Sequence, residues 1–151
     1  MIHLFENHDL VTEHAMQLVD VTDDLRSAVE RAEVSNGMAL VFSPHTTCAV
    51  VINESEAGFI ADFRDVLDEL APATGRYYRH DDLDIRTEGI EEDTADFPNG
   101  HSHVRAGLLA SSSQTVPIVD GELMLGVWQR IFVCELDRSR PRKIFIQVVG
   151  E

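Results

Sequence analysis

The last third of the chain reads as strands that follow one another directly, and this succession limits the fold more than any other feature. Thr115 to Val119 is a strand, Asp120-Gly121 a hairpin turn, and Glu122 to Leu125 the return. Val127 to Leu136 and Arg142 to Val149 make a final pair, joined across Asp137 to Pro141. The helical patterns lie earlier. Strands therefore do not alternate regularly with crossover helices, which disfavours a Rossmann or barrel fold and predicts an α+β domain with antiparallel or mixed sheets and a few helices.

The first half supplies those helices. Met16 to Val21 alternates as a strand, and Thr22-Asp23-Asp24 then gives a cap and an acidic first turn to a helix carrying Leu25, Ala28, Val29 and Ala32, which Asn36-Gly37 should stop. Met38 to Phe42 and Thr47 to Ile52 read as strands broken at Ser43-Pro44. From Glu54 the residues Phe59, Ile60, Phe63, Val66, Leu67 and Leu70 keep helical spacing until Pro72. Thr74 to Pro98 shows no periodicity and reads as a long loop, and a short helix follows over Val104 to Ala110. At 151 residues the whole chain, 1–151, reads as a single domain.

Charge narrows the partners. With 27 acidic against 12 basic residues the net charge is −15, and Lys143 is the only lysine. That balance argues against nucleic acid and against an anionic membrane surface. It suits a surface adapted to high salt, and equally an acidic cytosolic protein from a mesophile. No apolar run approaches a membrane span and the first residues lack the pattern of a signal peptide, so the expected location is the cytoplasm. Cys48 and Cys134 lie inside apolar runs, and two buried thiols are favoured over a disulfide between them.

The fixed-spacing motifs of hydrolases, P-loop enzymes, zinc proteases and dinucleotide binders are absent. What the chain offers is histidines at breaks between elements: His45 after Pro44, His80 within YYRHDD, and His103 at the start of a helix. Three neutral imidazoles from distant segments would suit a divalent metal such as zinc. His3, His8 and His14 carry no such expectation, and His101 is a reserve because two positions on a helix are turned about 200° apart. Ser102 is the expected N-cap, which makes His103 the first helical residue. The free N–H groups there, with Arg105 one turn in, would form an anion site, although Arg105 paired with a surface carboxylate is the simpler use.

The stretches HTTCAVVINE, YYRHDD, NGHSHVRAGLLASSSQTVPIVDGELMLGVWQRIFVCE and RPRKIFIQVVGE, in this order over nearly the whole chain, resemble the YjbQ-like family, often labelled secondary thiamine-phosphate synthase. The resemblance implies a compact α+β fold, a homotrimer and a polar pocket centred on histidines that map onto His45, His80 and His103. It gives that pocket polar neighbours: Glu54, Asp62 and Gln129 as candidate catalytic groups, and Asn53 as a substrate contact beside Thr46, Ser102 and Arg105. His101 and the basic turn Asp137 to Arg142 depart from the family pattern. The implied activity joins a pyrimidine pyrophosphate to a thiazole phosphate, so the expected ligand is a phosphorylated small molecule and the expected cofactor a divalent metal. The alternative is a trimer that binds a metal or a phosphorylated metabolite without turnover.

Overall fold

The computed structural model describes residues 1–90 and 98–151. Eight strands and three helices are present among them: β1 (Ile2–Val11), β2 (Gln17–Asp20), α1 (Thr22–Ala32), β3 (Gly37–Phe42), β4 (Cys48–Glu54), α2 (Ala57–Leu70), α3 (Gly100–Leu109), β5 (Ser113–Val119), β6 (Glu122–Leu123), β7 (Gln129–Glu135) and β8 (Pro141–Gly150), with a single 3-10 turn at Arg79–Asp81. Five strands form one sheet in the order β1-β8-β3-β5-β6 and three form a second in the order β2-β7-β4. All six strand pairings are antiparallel. The α+β expectation holds, and no described helix is long and apolar enough to cross a membrane.

Alternation along the strands builds the layers. Ile144, Ile146 and Val148 of β8, with Ala39 and Val41 of β3, turn inward against Val50, Ile131 and Val133 of the small sheet. Helix α1 fills the same layer with Leu25, Ala28, Val29 and Ala32. The opposite face of the small sheet presents Ala49, Phe132 and Cys134 to Leu67 of α2, with Phe63, Ala106 and Leu109 packed alongside. The order is therefore large sheet, core with α1, small sheet, then α2 and α3. Residues directly opposite in an antiparallel pair share a face. Ala49 faces Cys134 while Cys48 faces Glu135, so the two cysteines point to opposite sides of the sheet and both are free. Burial pushes both thiols up to about 12, Glu135 adding to the effect at Cys48 and Cys48 to that at Cys134, so neither is a thiolate at neutral pH.

Several boundaries differ from the sequence reading for local reasons. Helix α1 ends at Ala32, with Glu33 in the left-handed region at φ 52°, rather than at Asn36-Gly37. Gly37 instead opens β3, where Val149 and Gly150 leave no room for a Cβ. Helix α3 begins at Gly100 with Asn99 as its N-cap, so Ser102 lies inside the helix and caps nothing. Residues 91–97 of the anticipated loop lie outside the described set; the part before them contains the 3-10 turn.

One end of the sandwich is closed by charge. Glu135 on β7 is fully buried, and Arg142 on β8 grips it through Nε and Nη2, each at 2.6 Å. The Thr12 hydroxyl donates to the same carboxylate at 3.0 Å, as does the Asp137 amide. Arg142 Nη2 also reaches Thr47 Oγ1 at 3.0 Å. Every oxygen of the carboxylate is thus engaged, which is the condition under which an ion pair survives burial. The substitution Glu135→Ala should lower unfolding free energy by about 3–5 kcal/mol, because Arg142 is left buried and unpaired. Urea denaturation should find the double variant Glu135→Met with Arg142→Met more stable than Glu135→Ala; a cost under about 1 kcal/mol for the single change would contradict the assignment.

Candidate functional site

Above this buried pair opens a cavity of about 260 Å³ lined by Pro44, His45, Thr46, Thr47, Asn99, His103, Arg140 and Arg142. Its walls come from three places: the join of β3 and β4, the first turn of α3, and the turn between β7 and β8. Each is fixed by contacts that the sequence builds in.

At the first wall, His45 leans across the end of β3 so that Nε2 lies 3.1 Å from both the amide nitrogen and the carbonyl oxygen of Lys143. One tautomer accepts from the N–H and the other donates to the carbonyl; either leaves Nδ1 as the second ring nitrogen. At the third wall, the Thr12 hydroxyl, whose proton goes to Glu135, accepts from the Arg140 backbone N–H at 3.0 Å. The Arg140 side chain is held by Asp137, whose carboxylate is almost wholly buried.

The second wall is set by Asp81. Its Oδ1 accepts from the backbone N–H groups of Asn99 and Gly100 at 2.9 and 2.8 Å, so a carboxylate of the chain already occupies the anion position at the start of α3. The expectation that these groups face a phosphate is corrected accordingly. The same contact brings the 3-10 turn close enough that a Cβ on Gly100 would lie 2.6 Å from Tyr78 Cβ. His80 consequently packs on His103, ring centroids 4.4 Å apart, and its Nε2–H donates to Asn99 Oδ1 at 3.1 Å.

Both pocket histidines are held neutral. Burial, and then the Arg142 charge, push the His45 imidazole below its ordinary value. Burial, and then the neighbouring His80, do the same to His103.

The structure divides the residues singled out by sequence into two groups. His45, His103 and Thr46 line the cavity, and His80 adjoins it through His103. The others lie elsewhere in this chain. Asn53 and Glu54 end β4, opposite Arg130 and Gln129 of β7, and the seven residues of β4 rise about 20 Å from the His45 end. Asp62 is exposed on α2, and Gln129 Oε1 accepts from the Gly126 amide. The hydrogen-bond partners of His45 and His80 are Lys143 and Asn99, not the expected polar neighbours Glu54, Asp62 and Gln129. Arg105 is corrected as well: its guanidinium is buried and donates to the Ala71 carbonyl and to Asp68 Oδ1, at 2.9 and 2.6 Å, and it does not line the cavity. That is the simpler use anticipated for it. His101 is buried against the Tyr78 ring.

For a metal, the donor chemistry is suitable, since His45 and His80 each have one nitrogen oriented by a partner, as metal-bound imidazoles do. Among the described residues, however, no three His, Cys, Asp or Glu side chains converge on one point. His80 and His103 form a pair and His45 stands apart across the cavity. Arg140, Arg142, Thr47 and Asn99 were missed by the sequence reading. A glutamate inside IFVCEL was the available signal, because a charge in so apolar a run requires a buried partner.

Replacing Gly100 with alanine should displace the 3-10 turn and separate His80 from His103, at a cost of about 1–3 kcal/mol. Imidazole NMR signals of His80 and His103 should shift in Gly100→Ala. In Gly107→Ala, where nothing opposes an added Cβ, they should not. Unchanged signals in both would remove Asp81 and Gly100 as the features that place His80.

The YjbQ-like UPF0047 family model matches residues 6–151. A UPF0047 protein of Archaeoglobus fulgidus is 36% identical over 140 residues, covering 93% of this chain and 97% of that protein. A YbjQ-like protein from Sulfolobus solfataricus superposes with a TM-score of 0.85 at 31% identity, covering 99% of this chain and 98% of that one. A YjbQ/UPF0047 family protein from Clostridium acetobutylicum gives a TM-score of 0.80 at 34% identity, with 95% and 99% covered. Motif order, fold and whole-length similarity agree, and the chain belongs to the YjbQ-like UPF0047 family.

Proposed function

We propose that the cavity between His45, His103 and Arg140 binds the phosphorylated end of a small molecule. The observation that carries this reading is the meeting of two arginines and two neutral imidazoles in one pocket of a chain whose net charge is −15. Arginine donors match phosphate oxygens geometrically, and Thr46, Thr47 and Asn99 add uncharged hydrogen-bonding groups. The cavity of about 260 Å³ is smaller than a typical whole-ligand site, which suits a headgroup rather than an entire metabolite.

The family resemblance adds an enzymatic form: a weak thiamine-phosphate-synthase-like transfer. There the bond from the pyrimidine methylene to pyrophosphate breaks, the thiazole nitrogen bonds that carbon, and pyrophosphate leaves with the electron pair. Arg140 and Arg142 would stabilise the leaving charge. A divalent ion such as zinc, expected on His45, His80 and His103, would add positive charge beside it, but within one chain those three do not converge and His80 and His103 would need further ligands to hold it. Glu54, Asp62 and Gln129 take no part within one chain. The same family reading makes the protein a homotrimer. Retained binding without turnover is the non-catalytic alternative.

Calorimetric titration with inorganic pyrophosphate, using protein purified without a histidine tag and assayed for metal, tests the proposal. Arg140→Ala should weaken binding about tenfold or more, some 1.4 kcal/mol, while the exposed Arg26→Ala leaves it unchanged. In metal-free protein, binding should take up protons at pH 7, because a bound anion favours the imidazolium forms of His45 and His103. Absence of binding by wild type, or equal binding by Arg140→Ala, would overturn the reading. Formation of thiamine phosphate from the two substrates separates the enzymatic form from the alternative.

A further inference from the structure

Each arginine lining the cavity is already matched by a carboxylate of the chain. Arg142 grips Glu135 and Arg140 is held by Asp137, and both carboxylates are buried. Just outside, Arg138 lies 3.9 Å from the same Asp137 oxygen, and on the His103 side Arg86 and Asp81 add charges of opposite sign. The fixed charges around the cavity therefore leave at most one positive charge unanswered.

The two guanidinium groups nevertheless keep hydrogen-bond donors. Arg140 commits Nη2 alone and Arg142 commits Nε and Nη2, so Nε and Nη1 of Arg140 and Nη1 of Arg142 have no partner among the described residues. Directed N–H groups are present without an excess of charge. One negative charge suits such a pocket, whereas a second would enter poorly solvated surroundings with nothing to answer it. The whole chain adds to that penalty, because at −15 its field opposes every further negative charge on a ligand.

We infer that the phosphate this cavity takes carries a single negative charge, as in a phosphodiester, and that Asp137 is the residue that selects against a dianionic phosphate monoester. The inference rests on the headgroup reading above and not on its enzymatic form. Of the two carboxylates, Glu135 lies beneath the nearly inaccessible Arg142, while Asp137 answers Arg140, whose side chain is 32% exposed. Arg140 is thus the arginine a ligand reaches first, and Asp137 sets how much of its charge is left.

Titration of untagged, metal-free protein with dimethyl phosphate and with methyl phosphate at about pH 8, where they carry about one and about two negative charges, tests this. Wild type should bind dimethyl phosphate about tenfold more tightly. Asp137→Asn keeps an oxygen for Arg140 but removes the charge, so it should cancel the preference by strengthening methyl phosphate. Wild type that binds methyl phosphate as tightly as dimethyl phosphate, or more tightly, would overturn the inference while sparing the headgroup reading. An Asp137→Asn protein that is folded by circular dichroism and keeps the full preference would overturn the role of Asp137. Binding of neither ester by wild type would overturn both readings, and the wild-type comparison decides the charge preference even if the variant fails to fold.

Discussion

The Glu135–Arg142 ion pair is the interaction on which the site depends. It joins the two sheets at the end where β7 passes into β8, and it is buried so completely that each partner's charge must be answered by the other. Burial alone would pull the guanidinium down, but the Glu135 hydrogen bonds and charge outweigh it and hold Arg142 above its ordinary value. The surrounding polar groups follow from that demand. Thr12 from the end of β1, Thr47 before β4 and the Asp137 amide each answer an atom of the pair. One residue beyond Arg142, Lys143 presents the backbone groups that hold His45. The cavity floor is thus a consequence of satisfying one buried carboxylate.

Much of the fold was legible because it rests on local rules. The late strands, the Asp120-Gly121 turn with φ of 52° and 80°, and helix α2 follow from alternation, turn chemistry and helical spacing. Strand β1 was not. Its inward positions include Glu6 and His8, which meet Arg31 and Asp24 of α1, so polar partners from a distant helix stand where an apolar pattern would have marked the strand. The start of α3 was displaced for a similar reason. Ser102 has the right chemistry for a cap, but the carboxylate of Asp81, arriving from eighteen residues upstream, does the work instead.

The site divides along the same line. His45, His80 and His103 were visible as histidines at breaks, and two of them share the cavity. Its arginines were hidden because their role depends on which strand ends adjoin, which composition does not encode. Arg105 looked like the phosphate ligand by sequence position and proved to be the buried support of α2 through Ala71 and Asp68. Arg140 and Arg142, from the basic turn that departs from the family pattern, line the cavity instead.

What emerges is an acidic molecule with a small arginine-lined pocket, whose guanidinium groups are each paired with a buried carboxylate and whose imidazoles are biased toward the neutral form. Long-range proton–nitrogen NMR of the histidine rings, titrated with and without pyrophosphate, tests that account most directly. His45 and His103 should change protonation below the ordinary histidine value of about 6.5 in the free protein, because burial disfavours their charged forms. Pyrophosphate should move both upward together. Midpoints at or above the ordinary value, unmoved by pyrophosphate, would contradict it.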